Sequence, residues 1–142
     1  MTYPVLQPAI ILVLWSLVVL VWMAITRVPA LGVAKVDVNA AGGRGTDLDG
    51  ILPATTQWKA HNYNHLMEQP TLFYAVCLMV AVVAPADRVS FVLAWLYVAL
   101  RIVHSLWQIM VNVVRIRAAI FAVYSLVLIL FAIRAAMLVM SI

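Results

Sequence analysis

The sequence predicts an all-α integral membrane protein, an antiparallel bundle of four transmembrane helices. Hydrophobic residues make up 67% of the 142 residues and charged residues only 10%, and the mean hydropathy is +1.10. A soluble domain of this length could not hide so much apolar surface from water. The nine Lys and Arg residues, which produce a net charge of +4, lie mostly at the ends of apolar runs. These observations exclude a soluble enzyme, a nucleic-acid-binding protein and a disordered chain.

Four apolar stretches approach the roughly 20 residues that a helix needs to cross a bilayer. They cover about residues 8–26, 62–84, 88–111 and 117–140 of a single domain, 1–142. The first has no basic flank before it and no small-residue cleavage site after it, so we predict a retained span rather than a signal peptide. In the second, Pro70 predicts that the helix begins or kinks at that residue.

The connections between the stretches differ in character. Residues 27–57 contain Gly42, Gly43, Gly45 and Gly50 among polar residues, which favours a mobile loop, and they lack the Lys and hydroxyl ending of a phosphate-binding loop. Pro85-Ala86-Asp87 predicts a tight turn in which Asp87 is the N-cap of the next helix. No Gly or Pro separates the third stretch from the fourth. Cys77 is the only cysteine and lies in an apolar run, so an intrachain disulfide is excluded.

Basic residues predict the orientation, because they concentrate in short cytoplasmic loops. The first and third connections and their flanks carry Arg27, Lys35, Arg44, Lys59, Arg115 and Arg117. The second connection carries only Arg88. We therefore predict that the first and third connections are cytoplasmic and that both termini lie outside.

A series of polar residues follows the third stretch at steps of 4, 3, 4, 4 and 3. Its members are Tyr97, Arg101, His104, Gln108, Asn112 and Arg115. This spacing predicts a single polar helix face. It is compatible with a buried hydrogen-bonded seam between helices or with a water-accessible cleft, and the two arginines favour the cleft.

The second stretch supplies a matching face, with His61, His65 and Glu68 at i, i+4 and i+7. We expect Glu68 and Arg101 to be neighbours or to share a polar ligand, the alternative being a Glu68 carboxylate simply in water. Two histidines and a carboxylate also suit zinc or iron, which is a weaker third interpretation. Arg134, near the end of the fourth stretch, is expected to reach the lipid headgroups and to have no chemical role.

Two stretches resemble the MAPEG superfamily, the membrane-associated proteins in eicosanoid and glutathione metabolism. One is His-Asn-Tyr-Asn-His-Leu-Met-Glu-Gln-Pro-Thr-Leu-Phe-Tyr at 61–74, and the other is Tyr-Val-Ala-Leu-Arg-Ile-Val-His-Ser-Leu at 97–106, followed by Asn112 and Arg115. The chain looks like one of the uncharacterised bacterial members, which implies the bacterial inner membrane as its location.

The resemblance implies a homotrimer whose sites lie between subunits and open to the cytoplasm. Glutathione would be the cosubstrate and a lipophilic small molecule from the bilayer the electrophile. Glu68 matches the signature glutamate, Arg101 the third-helix arginine and Arg115, by its spacing, the arginine that activates the thiol. His61 and His65 depart from the family's Arg and Asn, and neutral histidines bind a carboxylate less firmly than the forked guanidinium does.

Two functions stay open on this basis. The first is a glutathione-dependent transferase or peroxidase that acts on lipophilic electrophiles. The second is a non-catalytic membrane protein that binds lipids or amphiphiles and has lost glutathione chemistry. For the first, the candidate catalytic residue is Arg115, and no metal site is assigned. The candidate binding residues are Glu68, Arg101, His65, His61, His104, Gln108, Asn112 and Asn64.

Overall fold

The computed structural model describes residues 4–39 and 43–141, and this part of the chain is almost entirely helical. The helices are α1 (Leu6–Val33), α2 (Ala54–Glu68), α3 (Pro70–Val83), α4 (Arg88–Met110) and α5 (Val114–Met140), with a short 3₁₀ turn at Gly45–Leu48. Since α2 and α3 join into one rod, Ala54–Val83, four helical rods are long and apolar enough to cross a membrane. The predicted four-helix membrane fold is confirmed.

Helix α1 is longer than its apolar stretch predicted, because it continues to Val33 instead of ending near residue 26. The start of the connection expected to be a mobile loop is therefore helical. Part of the rest is held against α1, since Arg27 Nη2 donates a hydrogen bond of 2.6 Å to the Gly45 carbonyl. Residues 40–42 of this connection lie outside the described residues.

Pro70 marks a discontinuity inside the second rod. It is the first residue of α3, where its missing N–H is tolerated, and the preceding Gln69 keeps a helical conformation with φ −60° and ψ −36°. The rod therefore continues in nearly the same direction through the break. The side chain of Gln69 donates to Ser125 Oγ at 2.9 Å, which ties the break to α5.

The bundle core is apolar and aromatic. Helix α4 packs most extensively on α5, and α1 on α2. The rings of Phe73 and Tyr97 stack with their centroids 4.5 Å apart, and Phe131 lies 6.0 Å from Phe73. Many large apolar side chains on the outer faces are exposed, among them Val82 on α3 and Ile25 on α1. Such a surface suits the hydrocarbon of a bilayer.

The turn between α4 and α5 corrects one expectation. Helix α4 ends at Met110, and Asn112 adopts a left-handed conformation with φ 53°, which asparagine tolerates better than most residues. Its N–H donates to the Trp107 carbonyl at 2.8 Å and closes the helix end. The prediction of six polar residues on one helix face is therefore wrong for Asn112 and Arg115, which lie beyond that end.

The opposite end of the bundle carries an ion pair that the sequence did not predict. Asp87 is the N-cap of α4, as expected, and accepts a hydrogen bond of 2.8 Å from the Ser90 N–H. Arg134 on α5 binds the same carboxylate through Nη2 at 2.6 Å and Nε at 3.2 Å. Arg134 therefore has a partner within the chain, and the expectation that it reaches the lipid headgroups stays a prediction.

Asp87→Ala is expected to lower the free energy of unfolding at pH 7 by about 1–2 kcal/mol, because it removes both the N-cap and the ion pair. The hydrogen bond from Arg134 holds the pKa of the Asp87 carboxyl well below its usual range. The carboxylate therefore contributes its stability above the unfolded pKa of about 3.9, and this contribution is lost as the pH falls through the lower folded pKa. Thermal unfolding in detergent at several pH values measures the difference.

Arg88→Ala is the matched control, because it removes a neighbouring exposed charge and leaves the Asp87 contacts intact. The gap in unfolding temperature between the parent and Asp87→Ala is expected to narrow in acid. A gap that is the same at pH 7 and in acid would contradict a role for the ionised carboxylate.

Candidate functional site

Two adjoining cavities open at the end of the bundle that carries residues 34–39, residues 43–53 and the α4–α5 turn, which we call the loop end. The outer cavity has a volume of about 570 Å³ and the deep cavity about 250 Å³. Val114 and Arg117 line both cavities, so we treat the two as one cleft. The side chains that line the deep cavity are His65, His104, Gln108, Val114, Arg117, Ala118 and Phe121.

Arg101 is completely buried beside the deep cavity. Its Nη1 contacts His104 Nδ1 at 3.0 Å and donates to the Tyr124 hydroxyl at 2.7 Å. Its Nη2 contacts His65 Nδ1 and donates to the His65 carbonyl, both at 2.6 Å. No carboxylate of the described residues pairs with this guanidinium. The direct partners of this buried cation within the described residues are therefore all neutral groups, and burying a cation without a paired charge is energetically costly.

Glu68 makes no hydrogen bond or ion pair with Arg101 among the described residues. Its side chain is exposed and makes no ion pair within the described part of the chain. The guanidinium of Arg101 contacts the ring nitrogen of His65 and donates to the His65 carbonyl instead. Glu68 therefore makes no ion pair with Arg101 within the described residues, and the expectation that the two are neighbours or share a polar ligand stays a prediction.

His61 turns toward the loop and away from His65. Its Nε2 lies 2.9 Å from Asp49 Oδ1, which also accepts a hydrogen bond of 2.6 Å from Gln57 Nε2. The hydrogen bond from Gln57 lowers the pKa of the Asp49 carboxyl below its usual value and keeps it ionised. Asp49 and Gln57 line the outer cavity and were missed, because contacts between a loop and a helix leave no periodic pattern in the sequence.

A metal site finds no support in this geometry. Among the described residues no three His, Cys, Asp or Glu side chains converge as metal ligands would. His65 Nδ1 is engaged by Arg101, and His61 is held by Asp49. The described residues therefore give no support to the zinc or iron interpretation.

The two arginines at the start of α5 differ in position. Arg117 lines both cavities and donates to Asn112 Oδ1 at 2.7 Å, whereas Arg115 is exposed and lines neither. Arg117 is therefore the arginine that lines the cleft within one chain. The sequence analysis used this residue only to predict the orientation in the membrane. Asn112, a candidate binding residue, orients this cation and lines the outer cavity.

Three side-chain amides of α2 and α4 remain. One of them links two helices, and the other two have polar atoms without a partner among the described residues. Asn62 is buried and donates to Ser105 Oγ at 2.6 Å, so it links α2 to α4. Asn64 is exposed on α2, and its side chain has no hydrogen bond within the described residues. Gln108 is only 4% exposed, yet its Oε1 has no hydrogen-bond partner there.

This arrangement suits an anionic group. The deep cavity is lined by a guanidinium and two imidazoles, with the buried Arg101 behind them, and has no acidic lining residue. Phe121 and Ala118 add apolar surface to the lining of this cavity. The acidic Asp49 is confined to the outer cavity, where His61 partners it.

A comparison with family models finds one match along nearly the whole chain. The model described as the MAPEG family matches residues 5–137. Neither the curated proteins nor the solved structures give a match. The matched range includes the first three helical rods, α5 as far as residue 137, and every residue of the cleft.

Proposed function

This chain belongs to the MAPEG family of integral membrane proteins, and on that premise we propose that it is a glutathione-dependent transferase or peroxidase. Its second substrate is a lipophilic electrophile that arrives from the bilayer. The observation that carries the proposal is the cleft at the loop end, which leads from an outer cavity past Arg117 into a deep cavity free of acidic lining residues.

The chemistry requires a cation beside the thiol. A free thiol has a pKa near 8.5, and nearby positive charge shifts the equilibrium toward the nucleophilic thiolate. Arg117 is the side chain best placed in one chain to supply this charge, with Arg101 as a more distant contributor. The resemblance gives the same role to Arg115, which would act in a site shared between subunits.

A homotrimer with shared sites would also use the exposed residues. Glu68 and Arg115 are both exposed, and their side chains make no hydrogen bond or ion pair within the described residues. In the proposed site the Glu68 carboxylate binds the amine of glutathione. The other binding residues of the proposal are Arg101, His65, His61, His104, Gln108, Asn112 and Asn64.

We propose the bacterial inner membrane as the location, with the loop end in the cytoplasm and both termini outside. The loop end carries the connections that are rich in Lys and Arg, and such connections face the cytoplasm in most membrane proteins. This orientation would open the outer cavity to a water-soluble thiol.

A second function is favoured by one specific observation. Four hydrogen bonds within the chain occupy the terminal nitrogens of Arg101, so this guanidinium has little capacity left for a ligand. The observation fits a non-catalytic protein that binds a lipid or another amphiphile and uses Arg101 to hold the bundle together.

Millimolar glutathione is expected to raise the unfolding temperature of the detergent-solubilised protein, because a ligand that binds only the folded state stabilises it. The effect at 100 times the Kd is about 2.7 kcal/mol. S-methylglutathione is the matched control for the thiol, and a lysophospholipid is the probe for the second function. A shift with the lipid and none with glutathione would favour the non-catalytic protein.

A further inference from the structure

We propose that Arg101 is a positioning residue that sets the tautomers of His65 and His104. Both rings then present an Nε2–H donor to the deep cavity, which makes this cavity a binding site for a single anionic group. If the proposed function holds, that group is the thiolate of glutathione. The anion site does not depend on that function, because it is argued only from the side chains described above.

The tautomers follow from the donor character of arginine. A guanidinium has five N–H donors and no acceptor, so any ring nitrogen that it contacts must accept. Nη1 lies 3.0 Å from His104 Nδ1, and Nη2 lies 2.6 Å from His65 Nδ1. A neutral imidazole whose Nδ1 accepts a hydrogen bond carries its proton on Nε2. One arginine therefore fixes both rings in the same tautomer.

The second step places these donors at the cavity. Both rings line it, with their centroids 5.2 Å apart. Neither Nε2 has a hydrogen-bond partner within the described residues, although both Nδ1 atoms do. The deep cavity thus receives two uncommitted N–H donors from neighbouring helices, while the guanidinium that orients them stays buried.

An unpartnered buried amide indicates that the cavity is built for a polar occupant. Gln108 lines the cavity and is 4% exposed, and its Oε1 is buried without a partner in the described part of the chain. Leaving such a group unsatisfied costs about 1–3 kcal/mol, which a ligand bearing a donor would offset. A water molecule bound together with the anion supplies a donor of this kind, and Arg117 supplies the charge opposite to that of the anion.

The tautomers are measured by ¹⁵N NMR of histidine-labelled full-length protein in lipid bilayers. We expect unprotonated Nδ1 and protonated Nε2 at both His65 and His104. Arg101→Lys keeps the charge, but an ammonium has three donors for the four acceptors that Arg101 now serves. A changed or mixed tautomer at one or both rings is the expected result. A protonated Nδ1 in the parent protein, or unchanged tautomers in Arg101→Lys, would overturn the positioning role.

The anion site is tested with propanoate and its neutral isostere propanamide. Propanoate is expected to shift both Nε2–H resonances saturably, and propanamide is not. His104→Asn places an acceptor near the former Nδ1 and removes the Nε2–H, so it retains the partner of Arg101 but is expected to bind propanoate at least about tenfold more weakly. Equal binding of the two compounds, or equal affinity of the variant, would contradict the proposal.

These measurements separate the anion site from the proposed function because neither compound is a thiol. Propanoate binding without any effect of glutathione would leave the site standing and remove glutathione chemistry. A stabilising effect of glutathione without propanoate binding would support the proposed function and remove the anion site.

Discussion

Replacing Arg117 by alanine is expected to lower kcat/KM for the conjugation of glutathione with a chlorodinitrobenzene by about 10²–10³-fold, the range found when one preorganised donor to a developing anion is lost. Arg117 is the cation that lines both cavities, so its removal leaves the thiolate without its nearest charge. Steady-state kinetics with both substrates varied measures the effect, and the ultraviolet absorbance of bound thiolate reports the step directly.

Arg115→Ala is the matched control, since it removes the same side chain two positions away on the same helix, at a residue that lines neither cavity. We expect a smaller loss for this variant, with the oligomeric state unchanged in both. A larger loss at Arg115 would move the chemistry to a site between subunits, as the family resemblance implies. Parent-like rates in both variants would remove the α5 arginines from the mechanism.

Arg101→Met is expected to lower the free energy of unfolding by about 3–5 kcal/mol, the usual cost of removing one partner from a buried charged network. The substitution leaves the His65 carbonyl, the Tyr124 hydroxyl and two imidazole nitrogens without their donor. Chemical unfolding in detergent micelles, followed by tryptophan fluorescence, measures the loss.

Tyr124→Phe provides a graded comparison within the same network. It removes a single acceptor, 2.7 Å from Arg101 Nη1, and keeps the aromatic ring whose centroid lies 5.1 Å from the guanidinium carbon. A loss of about 1–2 kcal/mol is expected. An Arg101→Met variant as stable as the parent would show that the buried guanidinium does not hold the helices together. The presence of an arginine at this position would then have to be explained by function alone.

The bundle could be predicted from the sequence because the bilayer imposes a length and a polarity on each span. The same reasoning found Asp87 as an N-cap, since its position after a proline turn is local information. The end of α4 could not be placed, because Asn112 stops the helix without a glycine or proline. The helical spacing was therefore extrapolated too far, and Arg115, which lies on α5, was counted in the polar face of α4.

The candidate site was predicted only in part, for a related reason. Spacing correctly grouped Arg101, His104 and Gln108 on one face of α4. It could not identify the partner of Arg101, because this depends on how far α2 is rotated and displaced against α4. His65 and Tyr124 meet the guanidinium, and Glu68 does not. Contacts made by the loop, such as that of Asp49 with His61, could not be predicted from helical spacing, because the loop has no periodic structure.

The short apolar helix that follows the proline break bears on the surrounding lipid. Helix α3 has 14 residues and is about 21 Å long, less than the roughly 30 Å of a bilayer's hydrocarbon core. The polar last turns of α2, which include His65, must cover the remaining thickness, and such hydrophobic mismatch is relieved by local thinning of the bilayer or by headgroups and water that descend to the polar turns. Acyl-chain length in the host membrane would therefore set how deeply water reaches the imidazoles.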